Sequence, residues 1–495
     1  MARTRIKIAL VNPRIESYSS TMPPLGLLYI AAVLEKNDFS VRIFDIYPYD
    51  DSDIEALLEY HPNVVGMSIL TDYWNRAKHI SEAINHDLPD STFIIGGVHV
   101  TALPEESLTE LNADIGVIGE GEITMLELCN AIADNTDKAH VKGIIYKEND
   151  TFIKTPARPY IENLDEIPHP ARQMLNFESY LVPPGIIRGH WSERSTTIMT
   201  SRGCPFQCIW CGSQCTFGRK VRYRSVDNVI EEIELLISEH KINTIWIVDD
   251  TFTLSKNRVN EFCDKILARN IKIVWGCQAH IKTADLEMFK QMKRAGCIQL
   301  DFGVESGSNK VLQQLKKDSS SELIERAFQI ARSAGLRTAA TFMFGSPEEE
   351  EEDVELTFTV AKKIQPDFVS SFFITPYPGT ELMEMVERNK WAVPRNRQEI
   401  GLKKKPALQI YFNEEQLFDI RKRFQKEFAF RNFAGLILSP VFFYKAAMLA
   451  LRYPGGLLAG AKKFLRTKVV DDFFFEFLIY YTKQKLIAKK CAQAN

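Results

Sequence analysis

In the N-terminal part of the chain, short β-branched apolar runs alternate with stretches whose apolar residues recur at helical spacing. IKIALVNP from Ile6, VRIFD from Val41, VVGMSIL from Val64, TFIIGGV from Thr92 and DIGVIGEGE from Asp114 read as strands, and LGLLYIAAVLEKN from Leu25 reads as a helix. That alternation predicts an α/β fold with a parallel, doubly wound sheet, whose ligands lie at the carboxyl ends of the strands. Those ends carry Asn12, Ser68, Thr71, Gly96, Gly97, Gly119 and Gly121, although glycines there serve equally well as tight turns. No GxGxxG follows the first strand, which disfavours a nicotinamide site.

A proline-rich segment, with NLDEIPHPAR from Asn163, then reads as a strap. Beyond it the alternation resumes with strands TTIMT from Thr196, TIWIVDD from Thr244, IKIVWGC from Ile271, IQLDFGVES from Ile298, RTAATFMFG from Arg337 and FVSSFFITP from Phe368. Helices intervene, and VDNVIEEIELLI from Val226 places Val226, Val229, Ile230, Ile233 and Ile237 on one apolar stripe. Six such strands predict a partial (β/α)6 barrel with its chemistry at the strands' carboxyl ends. The expected domains are 1–148, a linker strap 149–190, a core 191–395 and a C-terminal helical, basic-aromatic region 396–495.

With 45% hydrophobic and 25% charged residues in a chain of 495, the composition is that of soluble globular material. Nine cysteines, an odd number, and an N-terminus without a signal-peptide core suit a reducing, cytoplasmic setting. The tail differs from the rest: from Arg421 onward, fifteen Lys/Arg face four Asp/Glu, leaving the remainder acidic. Its runs NFAGLILSPVFFYKAAMLALRYPGGLLAGAKKFLRTK from Asn432 and FFFEFLIYY from Phe473 mix aromatics with cations, and Pro440 and Lys445 interrupt the first before it reaches spanning length. A helical hairpin at a membrane interface and a helical subdomain over the barrel mouth both satisfy this pattern. No nucleic-acid-binding module is recognisable.

The chemistry concentrates in SRGCPFQCIWCGSQC from Ser201, where Cys204, Cys208 and Cys211 stand at C-x3-C-x2-C. Three thiolates from a short loop suit an iron–sulfur cube whose fourth iron stays open. Cys215 keeps a four-cysteine zinc site in play, but only one C-x2-C hook is present.

This loop, with aromatic Trp210 before its last cysteine and placed after the first strand of a βα repeat, resembles the signature of the radical S-adenosylmethionine superfamily. DD at Asp249, GVESGS from Gly303, FGSPEE from Phe344 and TPYPGTEL from Thr375 match the supporting positions after later strands. PPLGLLYIAAVLE from Pro23, FIIGGVHVTALPEE from Phe93, GEGE from Gly119 and the strap look like the Rossmann-like cobalamin-binding domain of the branch that includes the anaerobic Mg-protoporphyrin monomethyl ester cyclase and hopanoid methylases. The resemblance runs from about Arg5 to Leu382.

The resemblance implies that Cys204, Cys208 and Cys211 ligate a 4Fe-4S cluster whose open iron chelates S-adenosyl-L-methionine. It places Asp249 and Asp250 near the methionine amino group, Glu305 and Ser306 near the ribose, and Gly345 with Glu348 near the adenosine. Each also has an ordinary reading as a cap or turn, and Glu348 sits in a solvated acidic run. Cobalamin contacts are implied for Asn12, Gly26, Ser68, Thr71, Gly96, Gly97, His99, Gly119, Glu120 and Gly121, with His99 either touching the corrin or capping the next segment. The DxHxxG motif is absent, so no protein imidazole is expected on cobalt.

The implied activity is generation of a 5'-deoxyadenosyl radical and modification, foremost methylation, of an unactivated carbon on a hydrophobic small-molecule or lipid substrate. A flavodoxin- or ferredoxin-type electron donor is implied, and the tail adds a peripheral membrane contact. Oxidative cyclisation of a porphyrin-type substrate and a non-catalytic cluster and cobalamin sensor are the alternatives. A methylthiotransferase is disfavoured because the N-terminal block holds only Cys129.

Overall fold

The computed structural model describes residues 6–15, 22–48, 51–181, 185–393, 405–437 and 440–467, together with positions 473, 476, 477, 480, 481 and 484. Much of FFFEFLIYY, and Cys491, lie outside the described residues.

The first sheet comprises β1 (Lys7–Pro13), β2 (Ser40–Ile46), β3 (Val64–Ser68), β4 (Thr92–Gly96), β5 (Ile115–Val117), β6 (Ile144–Glu148) and β7 (Thr151–Lys154), in the order β2-β1-β3-β4-β5-β6-β7. The first five run parallel. Alternation along β1 shows the double winding: Ile8 and Leu10 pack under helices Leu25–Lys36 and Glu122–Ala133, while Ala9 and Val11 pack under the helices of the opposite face. The sheet also continues where the sequence promised a strap. β6 and β7 add antiparallel, joined by Asn149 and Asp150, both at positive φ (46° and 63°), the combination a tight primed hairpin turn demands.

The second sheet comprises β8 (Ser195–Ile198), then, after a two-stranded ribbon of β9 (Ser201–Arg202) and β10 (Arg222–Tyr223), β11 (Thr244–Ile247), β12 (Val274–Ala279), β13 (Cys297–Glu305), β14 (Arg337–Phe344) and β15 (Phe368–Phe373). Its six strands are all parallel and neighbour one another in chain order, an open (β/α)6 barrel. Leu300, Phe302, Val304, Phe342 and Phe344 face the outer helices in one core; the alternate residues face the lumen.

Helix Glu414–Ile437 completes this core on the β15 side. Its Phe424, 1% exposed, lies within 5.0, 5.1 and 4.9 Å (ring centroids) of Phe342, Phe344 and Phe358. Asn432 bonds both the N–H and the C=O of Val369, at 2.8 and 3.0 Å, occupying backbone groups on the open edge of the sheet. Helix Pro440–Arg452 meets the barrel at Trp191 (Phe442 ring, 5.9 Å) and Glu193 (Lys445 Nζ, 2.9 Å). These residues precede β8, so the helix sits at the amino ends of the strands and does not lie over the mouth, contrary to the lid arrangement. No helix among the described residues is long and apolar enough to cross a membrane.

Truncating Phe424 to alanine opens a cavity among three aromatic rings and is expected to cost about 3–5 kcal/mol. A large fall in the urea midpoint would show it; an unchanged midpoint would mean that the C-terminal helix is not part of the barrel core.

Candidate active site

The site begins where β8 ends. The Thr200 N–H and hydroxyl and the Ser201 hydroxyl all donate to the Asp249 carboxylate at 2.6 Å, tying the ends of β8 and β11 together. The β9–β10 ribbon then closes the base of the cysteine loop. Gly203 has φ +93° and a Cβ there would stand 2.4 Å from the Lys220 carbonyl, so only glycine can precede Cys204. The far end is held by Ile209, 2% exposed among Val311, Leu315 and Leu382. Its N–H donates to the Leu315 carbonyl at 3.2 Å and its carbonyl accepts from the Leu382 N–H at 2.9 Å. With Ile209 anchored, its neighbours Cys208 and Trp210 have little freedom.

Cys204, Cys208 and Cys211 are half-buried. Burial, reinforced by Cys211 and Glu305 for one and by Asp250 and Cys204 for the other, pushes the Cys208 thiol up to about 12 and the Cys211 thiol up to about 11. A metal centre would take these groups as thiolates, its positive charge offsetting the burial that holds them protonated. Among the described residues no three His, Cys, Asp or Glu side chains converge on a single ion. Cys215 is committed elsewhere, donating to the Gly379 carbonyl at 2.8 Å, which removes the fourth ligand of a zinc site.

Around the thiols stand groups the sequence did not single out. Lys317, from the segment after β13, pairs with Glu305 at 2.9 Å and lies 5.5 Å from the Trp210 ring centre. Burial works to lower the Lys317 pKa, but Glu305 and Cys208 outweigh it and the ammonium is retained. Glu305 reaches this place through a register shift in β13 and a left-handed φ of +67°. His280, at the end of β12, stacks on Phe206 of the cysteine loop at 3.6 Å and 10°. Its Nδ1 accepts from the Lys282 N–H, so Nε2 donates to the Lys317 carbonyl. Burial and the Lys317 charge press its pKa down to about 3, so the ring is neutral.

The other expected contacts divide. Asp250 lies near Cys204 and Cys211 and accepts from the Ser213 hydroxyl; burial raises its pKa. Ser306 is fully buried, bridging to Thr357 at 3.1 Å and fastening the end of β13 to helix Glu351–Ile364. Gly345 turns the chain at φ +87° and donates its N–H to Glu349 at 2.6 Å. Glu348 is exposed, and its neighbour Glu349 is the fully buried carboxyl, pushed up to about 8 by burial. Nothing in a run of glutamates marks which one turns inward.

At the carboxyl ends of the first sheet lies a cavity of about 170 Å³. Gly26, Ser68, Gly96, Gly97, Gly119, Glu120 and Gly121 line it, with Leu10, Leu27, Ile30 and Met125 as apolar wall and Met199, Arg202 and Phe217 closing it from the cysteine-loop side. A Cβ on Gly26 or Gly119 would meet nothing within 4 Å, so these glycines leave open room for a ligand. Gly97, by contrast, is steric: a Cβ would stand 2.7 Å from the Ile69 carbonyl.

Three expected contacts lie off this lining. Asn12 donates to Asp45 at 2.8 Å, inside a buried network that also holds Arg14. Thr71 and His99 Nδ1 bond each other at 3.0 Å, and His99, 1% exposed, packs on Trp74 at 4.6 Å, which favours the capping role. Glu120 lines the cavity, but its carboxylate is spent on Arg202 at 2.8 Å, Arg222 at 2.9 Å and the Ile161 N–H at 2.8 Å.

A glycine-lined cavity thus lies across one salt-bridge cluster from a three-cysteine loop on an open barrel. Residues 198–361 match the Radical SAM superfamily and residues 12–129 the B12 binding domain. An uncharacterized methyltransferase of Pyrococcus horikoshii is 35% identical over 404 residues, covering 79% of this chain and 85% of that protein. The anaerobic magnesium-protoporphyrin IX monomethyl ester cyclase of Rubrivivax gelatinosus is 28% identical, covering 77% and 70%. The solved structure of the cobalamin-dependent S-adenosylmethionine radical enzyme OxsB superposes with a TM-score of 0.73 at 17% identity, over 99% of this chain and 80% of that one. The chain belongs to the cobalamin-binding branch of the radical S-adenosylmethionine superfamily. It is a methyltransferase-type enzyme whose cofactors are a 4Fe-4S cluster, S-adenosylmethionine and cobalamin.

Glu349 gives the site a pH signature. Its folded pKa of about 8 lies above the ordinary 4.5, so the native state holds a proton that the unfolded chain releases, and stability falls as pH rises between those values. Replacing it by glutamine is expected to remove that loss, a relative gain on the order of 5 kcal/mol between about pH 4 and pH 9. Urea midpoints at both ends of the range test it, and parallel pH profiles for both proteins would contradict it.

Proposed function

We propose that the enzyme methylates an unactivated carbon of a largely hydrophobic substrate, with Cys204, Cys208 and Cys211 as the cluster ligands. The observation that carries this reading is the placement of that loop, rigidly anchored at Ile209, across Arg202 from the glycine-lined cavity. When bound, the reduced cluster supplies an electron to S-adenosylmethionine and cobalamin carries a transferable methyl group. Asp250, Glu305 and Lys317 are the polar groups positioned to hold S-adenosylmethionine beside the cysteines, Glu305 and Lys317 as an ion pair that fixes both side chains. Gly26, Ser68, Gly96, Gly119 and Gly121 would receive one arm of cobalamin, since a cavity of about 170 Å³ admits only part of so large a group. Asp249, Ser306, Asn12, Glu120, Thr71 and His99 are each hydrogen-bonded to neighbouring protein groups, which supports a positioning role for them; Gly97 and Gly345 shape turns beside these surfaces, and Glu348 is exposed.

Met343 and Phe372 pack with Ile209 and Trp210, giving the lumen an apolar wall beside the cysteines that excludes water and suits a hydrophobic substrate. The C-terminal helices expose Val441, Tyr444, Met448, Leu451 and Leu458 near Lys445 and Arg452, which supports a peripheral contact with an anionic lipid surface. All described cysteines are free thiols, in keeping with a reducing cytoplasm and a flavodoxin- or ferredoxin-type donor.

The test is anaerobic reconstitution with methyl-deuterated S-adenosylmethionine and a cell lipid extract. Formation of 5'-deoxyadenosine together with a deuteromethylated extract component is expected, and Cys208→Ala should reduce both to background. Deoxyadenosine without label would favour cyclisation over methylation, and undiminished deoxyadenosine in Cys208→Ala would refute the ligand assignment.

A further inference from the structure

Deeper in the barrel the lumen changes character. On β13, Leu300 and Phe302 face the outer helices, so Gln299 and Asp301 face inward, beside Gln278 on β12 and Arg337 on β14. Asp301 is half-buried and Gln278, its register partner on β12, is exposed. Gln299 Nε2 donates to Asp301 at 2.9 Å, and Arg337 Nη1 donates to the Gly189 carbonyl at 3.1 Å. Gln299 and Arg337 are direct register partners, yet the buried Gln299 Oε1 and Arg337 Nη2 bond neither each other nor any other group. A buried acceptor and a buried donor left unpaired on neighbouring strands call for a polar partner. The segment 185–190 closes the amino ends of the strands beneath, where Arg188 donates to Ser370 at 2.7 Å. Burial raises the Asp301 pKa, with Arg188 and Arg337 opposing.

We propose that Asp301, Gln299 and Arg337 form a substrate subsite that takes the polar end of an otherwise apolar molecule, a hydroxyl or ammonium group donated to Asp301. The inference rests on reading the barrel lumen as the reaction chamber. Asp301 lies four residues before Glu305 on the same strand, about 13 Å at strand rise. A molecule reaching from the cysteine loop to this floor is therefore elongated, with its reacting carbon at the apolar wall and its polar end at Asp301. Arg337 Nη2 adds a donor for an oxygen on the same end, and Gln299 Oε1 a second acceptor.

Three probes of one skeleton test it without turnover: phenethylamine, 2-phenylethanol and ethylbenzene, titrated onto the reconstituted holoenzyme with S-adenosylmethionine bound and followed by saturation-transfer NMR. The two polar probes are expected to bind at least about tenfold tighter than ethylbenzene, and Asp301→Ala to erase that difference. Asp301→Asn should keep the preference for 2-phenylethanol and lose that for phenethylamine. Equal binding of all three probes to wild type would mean that ordered water alone fills the floor and would overturn the proposal, as would a preference that survives Asp301→Ala. Should Asp301→Ala fail to fold by circular dichroism, the isosteric Asp301→Asn decides, and an undiminished phenethylamine preference overturns it. Because binding is read directly, loss of the methyl-transfer reading would leave this result intact, and the reverse also holds.

Discussion

The structure hinges on a cluster of four charges taken out of water. Glu120, in the turn after β5, and Glu122, at the start of the helix that follows, meet Arg202, two residues before the first loop cysteine, and Arg222 on the ribbon that closes the loop. The four side chains are between 1% and 5% exposed, with contacts of 2.5–2.9 Å. Burying such charges is costly, and their attraction recovers that cost only with near-ideal geometry. Once formed, the cluster cannot lose a member without leaving an unpaired buried charge, a penalty of about 3–5 kcal/mol. Arg202 is further framed by the Tyr29 and Phe217 rings, 5.3 and 5.6 Å from the guanidinium. The first sheet and the cysteine loop are thus held in one register by groups that tolerate little displacement. A second buried set, Glu232 with Arg172 and Arg224, repeats the arrangement behind β8.

That constraint explains why the residues around the cofactors divide into those that hold and those that yield space. On the cavity side the space is made by glycines, because any side chain at Gly26 or Gly119 would fill it. On the cysteine side it is made by rigidity: Gly203 forces the turn, Ile209 anchors the loop, and Phe206 lies flat on His280. Polar groups at the strand ends are bonded to neighbours, Asp249 to Thr200 and Ser201, Ser306 to Thr357. These bonds fix the strand ends beside which Asp250, Glu305 and Lys317 stand around the cysteines.

What could be read from the sequence follows from range. The strands, the double winding and the cysteine loop depend on periodicity and local spacing, and the structure reproduces them. The β6–β7 hairpin was missed because Asn149 and Asp150 sit where proline-rich linker composition begins. Side-chain partners were not legible where they are distant in the chain: Glu120 with Arg222, Asn12 with Asp45, Thr71 with His99. Lys317 carries no motif at all; only the fold brings it to Trp210 and Glu305. Glu348 and Glu349 differ by one position on a turn, and burial alone distinguishes them.

The Glu120 cluster fixes the glycine-lined cavity and the cysteine loop relative to each other. The most direct measurement is the distribution of distances between cob(II)alamin and the reduced cluster, by pulsed electron paramagnetic resonance on the reconstituted protein. A single narrow distribution in the wild type that broadens in Glu120→Ala, with both paramagnetic centres still present, is the predicted result. An equally narrow distribution in Glu120→Ala would show that the two halves are held together by other contacts and would contradict the account.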